Sequence, residues 1–167
     1  MRTSRLVPAA LILGSALLLG GCVQISDMLG GGESAVRDAD SGEVTDAGQV
    51  DVFTLAVGDC LNDQSGEEVY DVPVVPCGEP HDYEVYHEFS MPDGEYPGQD
   101  ATYTAADEGC YAAFAPFVGL AYEESILDFS YYVPTQQSWD DGGDRLISCF
   151  LGDPSTQTTG SLAGVAR

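Results

Sequence analysis

The chain has 167 residues, enough for one domain with appended segments. It contains 28 acidic residues, five arginines and no lysine, which give a formal net charge of −23 at pH 7. Nucleic-acid phosphates and anionic lipid headgroups repel such a chain, so its composition excludes a nucleic-acid-binding protein.

The first 22 residues, MRTSRLVPAALILGSALLLGGC, have the form of an export signal. Arg2 and Arg5 precede an apolar run that is short for a bilayer span. The run ends in Leu-Gly-Gly-Cys, which resembles the lipobox of bacterial lipoproteins. We therefore predict a signal peptide over residues 1–21 and a lipid group, with acyl chains such as palmitate, on Cys22. An ordinary signal peptide with a chance cysteine and an uncleaved anchor are the alternatives.

The segment that begins at Cys22 differs in composition from the chain that follows it. Residues 22–49 are mainly Gly, Ser, Asp and Ala with few large apolar side chains, which predicts a disordered acidic tether. Such a coil would span about 30 Å. We assign the folded domain to residues 50–152, and we predict that the small, polar residues 153–167 form a flexible tail.

Apolar and polar residues alternate in the first part of this domain. In residues 50–61 the alternation places Phe53, Leu55 and Val57 on one face of a strand. A second strand is predicted over residues 67–77.

A third strand is predicted over residues 81–91, where the alternation continues. Its apolar side chains would face the core and its acidic side chains water, with Tyr83, Val85 and Phe89 on one side and Asp82, Glu84 and Glu88 on the other.

Residues 101–119 carry the helical pattern. Apolar residues that include Cys110 and Phe114 recur at helical spacing, Asp100 is a plausible N-cap, and Gly119 ends the segment. A strand over 125–134, a short helix capped by Thr135 and a last strand over 144–152 follow. This order predicts an α+β fold, a small antiparallel sheet with one main helix packed on one face.

Five cysteines are an odd number for an exported protein. If Cys22 carries lipid, Cys60, Cys77, Cys110 and Cys149 remain for two disulfides in an oxidising compartment. Three connectivities are open, and we favour the pairs of sequence neighbours, Cys60–Cys77 and Cys110–Cys149. Loop closure would then contribute about 3 and about 4 kcal/mol.

Several motifs of residues 50–151 together resemble the septum formation domain family of actinobacterial lipoproteins and membrane-anchored proteins. They are VGDCL (57–61), VPVVPC (72–77), EPHDYEVY (79–86), PDGEYPG (92–98) and DRLISC (144–149). The resemblance implies an extracytoplasmic location and a link to cell division or the envelope. It implies no catalytic activity and no active-site residues.

His81 and His87 are the only histidines. On a strand they would lie about 20 Å apart, which is too far to share a metal ion, so we predict no metal site. His81 with Asp82, at the exposed start of a strand, is instead a candidate partner contact. The alternatives are a cell-wall hydrolase that uses His81 with nearby acids, and a divalent-cation binding module that uses residues 140–144.

Arg145 is the sole cation of residues 50–152 and is predicted to form an ion pair, or else to anchor a carboxylate or phosphate ligand. Trp139 is the second candidate for a binding face, or a core residue. The aromatic residues grouped with it are Tyr103, Tyr122, Tyr131 and Tyr132.

The sequence therefore predicts a lipid-anchored, extracytoplasmic, non-catalytic binding or scaffold domain that needs no cofactor. Its expected partners are the membrane, through the lipid on Cys22, and an envelope protein or cell-wall component.

Overall fold

A computed structural model describes residues 34–63 and 69–167. The predicted leader, the predicted lipidation site Cys22 and the first part of the predicted tether lie outside these residues. The described elements in chain order are β1 (Val36–Arg37), β2 (Val44–Asp46), β3 (Gly48–Asp51), β4 (Cys60–Leu61), β5 (Asp71–Val75), β6 (Tyr83–Ser90), α1 (Gln99–Val118), β7 (Asp128–Tyr132), α2 (Gln136–Gly142) and β8 (Leu146–Gly152).

The main sheet has six strands in the order β3-β5-β4-β6-β8-β7, and each strand pairs antiparallel with its neighbours. β1 and β2 form a separate two-stranded ribbon. The long helix α1 packs against the main sheet, and disulfides join Cys60 to Cys77 and Cys110 to Cys149. The predicted fold class and the favoured cysteine pairing are confirmed.

Both faces of the sheet are buried because alternate residues of β8 belong to different cores. Ile147, Cys149 and Leu151 pack with α1, whereas Phe150 packs with apolar residues of β5 and with Val44 of β2. The period-2 alternation of a strand thus places the helix on one face and the N-terminal ribbon on the other.

Helix α1 forms where the apolar spacing predicts it. Cys110 and Phe114 are fully buried, and Gly119 ends the helix in the left-handed conformation, with φ of 83°. The N-cap is Gly98, so the predicted cap at Asp100 is wrong. Asp100 lies inside the first turn, where a negative charge interacts favourably with the helix dipole.

The predicted strand over residues 50–61 is divided. The carboxylate of Asp51 accepts a hydrogen bond from the backbone N–H of Phe53 and starts a short 3₁₀ turn. This local bond competes with strand pairing. As a result Leu55 is buried, while Phe53 and Val57 are exposed rather than on a shared buried face.

β6 confirms the third predicted strand, but a bulge between Val85 and His87 changes which side chains face the core. Glu84, Val85 and Tyr86 are consecutive and all buried. The expectation that Glu84 faces water is therefore wrong.

Residues 34–49 are not a disordered tether in the structure. They contribute β1, β2 and part of β3, and Ser34 forms a bridge to Gln49. Arg37 donates to both carboxylate oxygens of the buried Asp59, at 2.5 and 2.7 Å. A buried carboxylate needs such a partner, so this bidentate ion pair fastens the N-terminal ribbon to the domain.

The predicted flexible tail is also docked. Leu162 is 2% exposed in the helix-side core, and its backbone N–H donates to Glu84. Ser161 donates to the second oxygen of the same carboxylate, at 2.7 Å. The tail stays in place because it satisfies a carboxylate that the sheet buries.

The short helix α2 begins as predicted. The Thr135 side chain accepts from the backbone N–H of Ser138, and the Ser138 side chain accepts from the N–H of Thr135. This reciprocal capping box fixes the helix that carries Trp139.

Candidate functional site

An open groove of about 740 Å³ lies where the end of β6 meets the turn between α2 and β8. One wall comes from the residues after β6 and the other from residues 142–146, with the exposed ring of Phe53 at the rim. The lining residues are Phe53, Ser90, Met91, Pro92, Asp93, Gly142, Gly143, Asp144, Arg145 and Leu146.

Arg145 is the cation of this groove, and its side chain is 19% exposed. Its guanidinium stacks over the indole of Trp139, with Cζ 3.6 Å from the ring centroid. Nη1 donates to the carbonyls of Trp139 and Asp144, at 3.2 and 2.7 Å. The side chain is therefore held in a fixed orientation by α2 and its C-terminal turn.

One nitrogen of the Arg145 guanidinium lacks a hydrogen-bond partner among the described residues. This atom, Nε, is buried and lies 3.5 Å from Oδ1 of Asp93. The Asp93 side chain is 98% exposed, so this ion pair is solvent-screened and weak. The Asp144 carboxylate is directed elsewhere, because its oxygens accept from Leu146 N–H and the Ser138 hydroxyl. The predicted ion pair is present, but it leaves Nε unsatisfied.

Trp139 shapes the groove but does not line it. The side chain is 3% exposed, its Nε1–H donates to the carbonyl of Gly94 at 2.9 Å, and its ring packs edge-on against Tyr96. Trp139 was predicted to be either a binding-face residue or a core residue, and in the structure it is a core residue. The indole positions Arg145 and ties α2 to the loop before α1.

His81 and Asp82 do not form an exposed contact point, and that expectation is corrected. His81 is fully buried, its backbone pairs with Thr158 of the tail, and Nδ1 lies 2.8 Å from the carbonyl of Glu79. Asp82 accepts from the backbone N–H of Asp63. The C-terminal tail covers His81. Thr158 is far from His81 in the sequence, so the pattern of residues did not predict this contact.

The alternation placed the β6 carboxylates Glu84 and Glu88 in water, but Glu84 is buried and Glu88 is half-buried. Burial is the main cause that raises the pKa of the Glu88 carboxyl, and the Ser148 hydroxyl that donates to it opposes the shift. Glu84 lies before the bulge and is covered by Ser161 and Leu162 of the tail, a contact that alternation does not reveal.

Four tyrosines from the predicted aromatic set lie around β7. The Tyr131 hydroxyl donates to Asp107 of α1, and the Tyr122 hydroxyl donates to Asp128, at 2.9 and 2.6 Å. Burial and the bond to Asp107 raise the pKa of Tyr131 to about 12. Tyr103 contacts Tyr131, whereas Tyr132 packs on Phe150 at the opposite face of the sheet. None of the four lines the groove of Arg145.

Within residues 34–63 and 69–167, no group of three or more His, Cys, Asp or Glu side chains is arranged to hold a metal ion. Residues 140–142 close α2, and the Asp144 carboxylate bonds to α2 and to β8. No helix in the described ranges is both long enough and apolar enough to cross a membrane.

The family model described as Septum formation matches residues 23–149, and the chain belongs to this family. No curated protein and no solved structure matches the chain. Membership of the family supports a role in cell division.

Proposed function

We propose that the protein is a lipid-anchored, extracytoplasmic, non-catalytic binding domain that acts as a scaffold at the cell envelope during septum formation. Its binding site is the groove of Arg145, which accepts an anionic group such as a carboxylate. The family membership supports the link to division, and the groove supports binding.

The observation that carries this proposal is the unsatisfied Nε of Arg145. A buried polar atom without a partner is unusual in proteins, because it loses its hydrogen bonds to water without replacement. The remaining contacts of Arg145 hold its planar guanidinium in place before any ligand arrives, which lowers the entropy that binding must cost.

The two disulfides support an extracytoplasmic location. Such bonds persist in oxidising compartments and are rare in reducing ones. Three of the four cysteines involved, Cys60, Cys110 and Cys149, are fully buried.

The position of Ser34 limits the reach of the proposed anchor. Ser34 is bridged to β3, so only residues 23–33 separate the domain from Cys22. At full extension these residues reach about 40 Å at most. The domain would therefore operate close to the membrane, despite the repulsion between its acidic surface and anionic headgroups.

A wall hydrolase that acts through His81 is not proposed, because the side chain is fully buried under the tail. A calcium module is not proposed either, because Asp144 already satisfies neighbouring groups of the fold.

Mass spectrometry of the full chain, isolated from bacteria that process lipoproteins, tests the anchoring. We expect a mature N-terminus at Cys22 that carries diacylglyceryl, with both disulfides formed, and recovery in the membrane fraction. The matched variant Cys22→Ser should lack the lipid and leave that fraction while keeping both disulfides. Native protein with an unmodified Cys22, or with free Cys60 and Cys110 thiols in the cytoplasm, would contradict the proposal.

A further inference from the structure

Strand β7 forms one edge of the main sheet. It is the last strand in the sheet order and pairs with β8 alone in the part of the chain that the structure describes. The opposite edge differs, because Ser34 bridges to Gln49 of the edge strand β3. An open edge presents unpaired backbone groups that a further strand can join.

The backbone groups at this edge can be assigned. The N–H of Met91 donates to the carbonyl of Arg145, so residues 145, 147, 149 and 151 direct their backbone groups toward β6. The even-numbered residues of β8 must then bond to β7, which leaves Phe129 and Tyr131 facing outward. Phe129 N–H is already bonded to the Asp128 carboxylate, at 2.9 Å. Tyr131 thus offers its N–H and its carbonyl to a partner.

The surface beside this edge combines tyrosine rings with carboxylates. Tyr131 bonds to Asp107, and the Tyr103 ring, 41% exposed, lies 6.1 Å from the Tyr131 ring. Asp128 lies on the strand itself. Carboxylates next to tyrosine faces attract Lys and Arg side chains through ion pairing and cation–π contact.

We propose that the β7 edge binds an extended, lysine- or arginine-rich segment of a partner protein as an added strand. The partner backbone pairs with Tyr131, and its basic side chains lie against Tyr103, Asp107 and Asp128. Backbone pairing supplies affinity in this mode of recognition, and the side-chain contacts select the sequence.

Charge decides between this occupant and a second copy of the chain. Two copies joined edge to edge would each bring a net charge of −23. Like charges across such a contact oppose association. A basic segment instead neutralises the surface that it covers.

Titration of the disulfide-intact mature chain with the labelled peptide Ac-KVKVK-NH₂ tests the proposal, with Ac-EVEVE-NH₂ as the control peptide. We expect the basic peptide to bind and the acidic peptide not to bind. Hydrogen exchange at the Tyr131 amide should slow in the complex, which reports strand addition rather than general charge attraction.

The double variant Asp107→Asn/Asp128→Asn should weaken binding about fivefold, from the loss of two exposed ion pairs worth about 0.5 kcal/mol each. Asparagine keeps an oxygen for the tyrosine hydroxyls. The matched variant Asp140→Asn/Asp141→Asn removes the same charge from the exposed surface of α2 and should bind as the parent does.

Equal weakening by both variants, unchanged exchange at Tyr131, or no binding of the basic peptide would overturn the proposal. A dimer detected by sedimentation and disrupted at the same edge would overturn it in favour of a second copy. Arg145 is unchanged in these variants, so the result does not depend on the groove.

Discussion

Replacement of both Cys110 and Cys149 by alanine is expected to lower the free energy of unfolding by about 4 kcal/mol. The bond ties α1 to β8 across the helix-side core and closes a loop with a sequence separation of 39. Its loss frees the unfolded chain to occupy many more conformations. Guanidinium denaturation followed by circular dichroism measures the change.

The Cys60→Ala/Cys77→Ala variant is the comparison, with a smaller expected loss of about 3 kcal/mol because its sequence separation is 17. Equal stability of the Cys110/Cys149 variant and the parent would show that packing alone holds α1 on the sheet. That outcome would contradict a structural role for this disulfide.

The second large effect is expected at the end of β8, where Gly152 passes close to the start of β6. A Cβ atom at this position would lie 2.0 Å from the carbonyl oxygen of Asp82 and 3.0 Å from Cδ1 of Tyr83. The nearest atom belongs to the backbone, which cannot move aside to relieve the clash as the end of a flexible side chain can. Gly152→Ala should therefore cost about 3 kcal/mol, at the upper end of overpacking effects. Thermal and denaturant unfolding measure the loss.

Gly142→Ala is the matched control, because a Cβ there meets nothing within 4 Å and Gly142 has no positive φ. Its stability should stay within about 1 kcal/mol of the parent, with a gain if alanine favours the last turn of α2. Equal free energies of unfolding for the two variants would contradict the close packing of Gly152 against the Asp82 carbonyl.

The local pattern of apolar and capping residues was sufficient to predict the two helices. The recurrence of Cys110 and Phe114 predicted α1, and Thr135 predicted the start of α2. These features depend on residues three or four positions apart, so they can be read from a short stretch of sequence.

Apart from the two disulfides, contacts between residues distant in the sequence could not be predicted. Arg37 lies in a segment of low hydrophobicity, yet it pairs with Asp59, which is 22 residues away. Ser161 and Leu162 bind Glu84 from 77 and 78 residues away. The composition of a segment shows how much apolar surface that segment can bury. It does not show that a distant part of the chain contains a buried carboxylate that requires a partner.

The candidate site was predicted in part. Arg145 was identified because it is the single cation of residues 50–152, which can be read from the sequence. Trp139 was a candidate as an aromatic residue that could line a binding face, and His81 as a residue at the exposed start of a strand, but both are buried. The groove depends on how the α2–β8 turn meets the end of β6, which only the fold reveals.

The resonance of the Arg145 Nε–Hε group tests the central claim, that this groove binds an anionic group, most directly. In a proton–nitrogen correlation spectrum of the disulfide-intact mature chain, added acetate should shift this resonance saturably, while acetamide should not. The Arg37 Nε–Hε resonance is the internal control, since Asp59 already neutralises that guanidinium through its bonds to Nη1 and Nη2. An unchanged Arg145 resonance, or equal shifts at Arg37 and Arg145, would contradict the account.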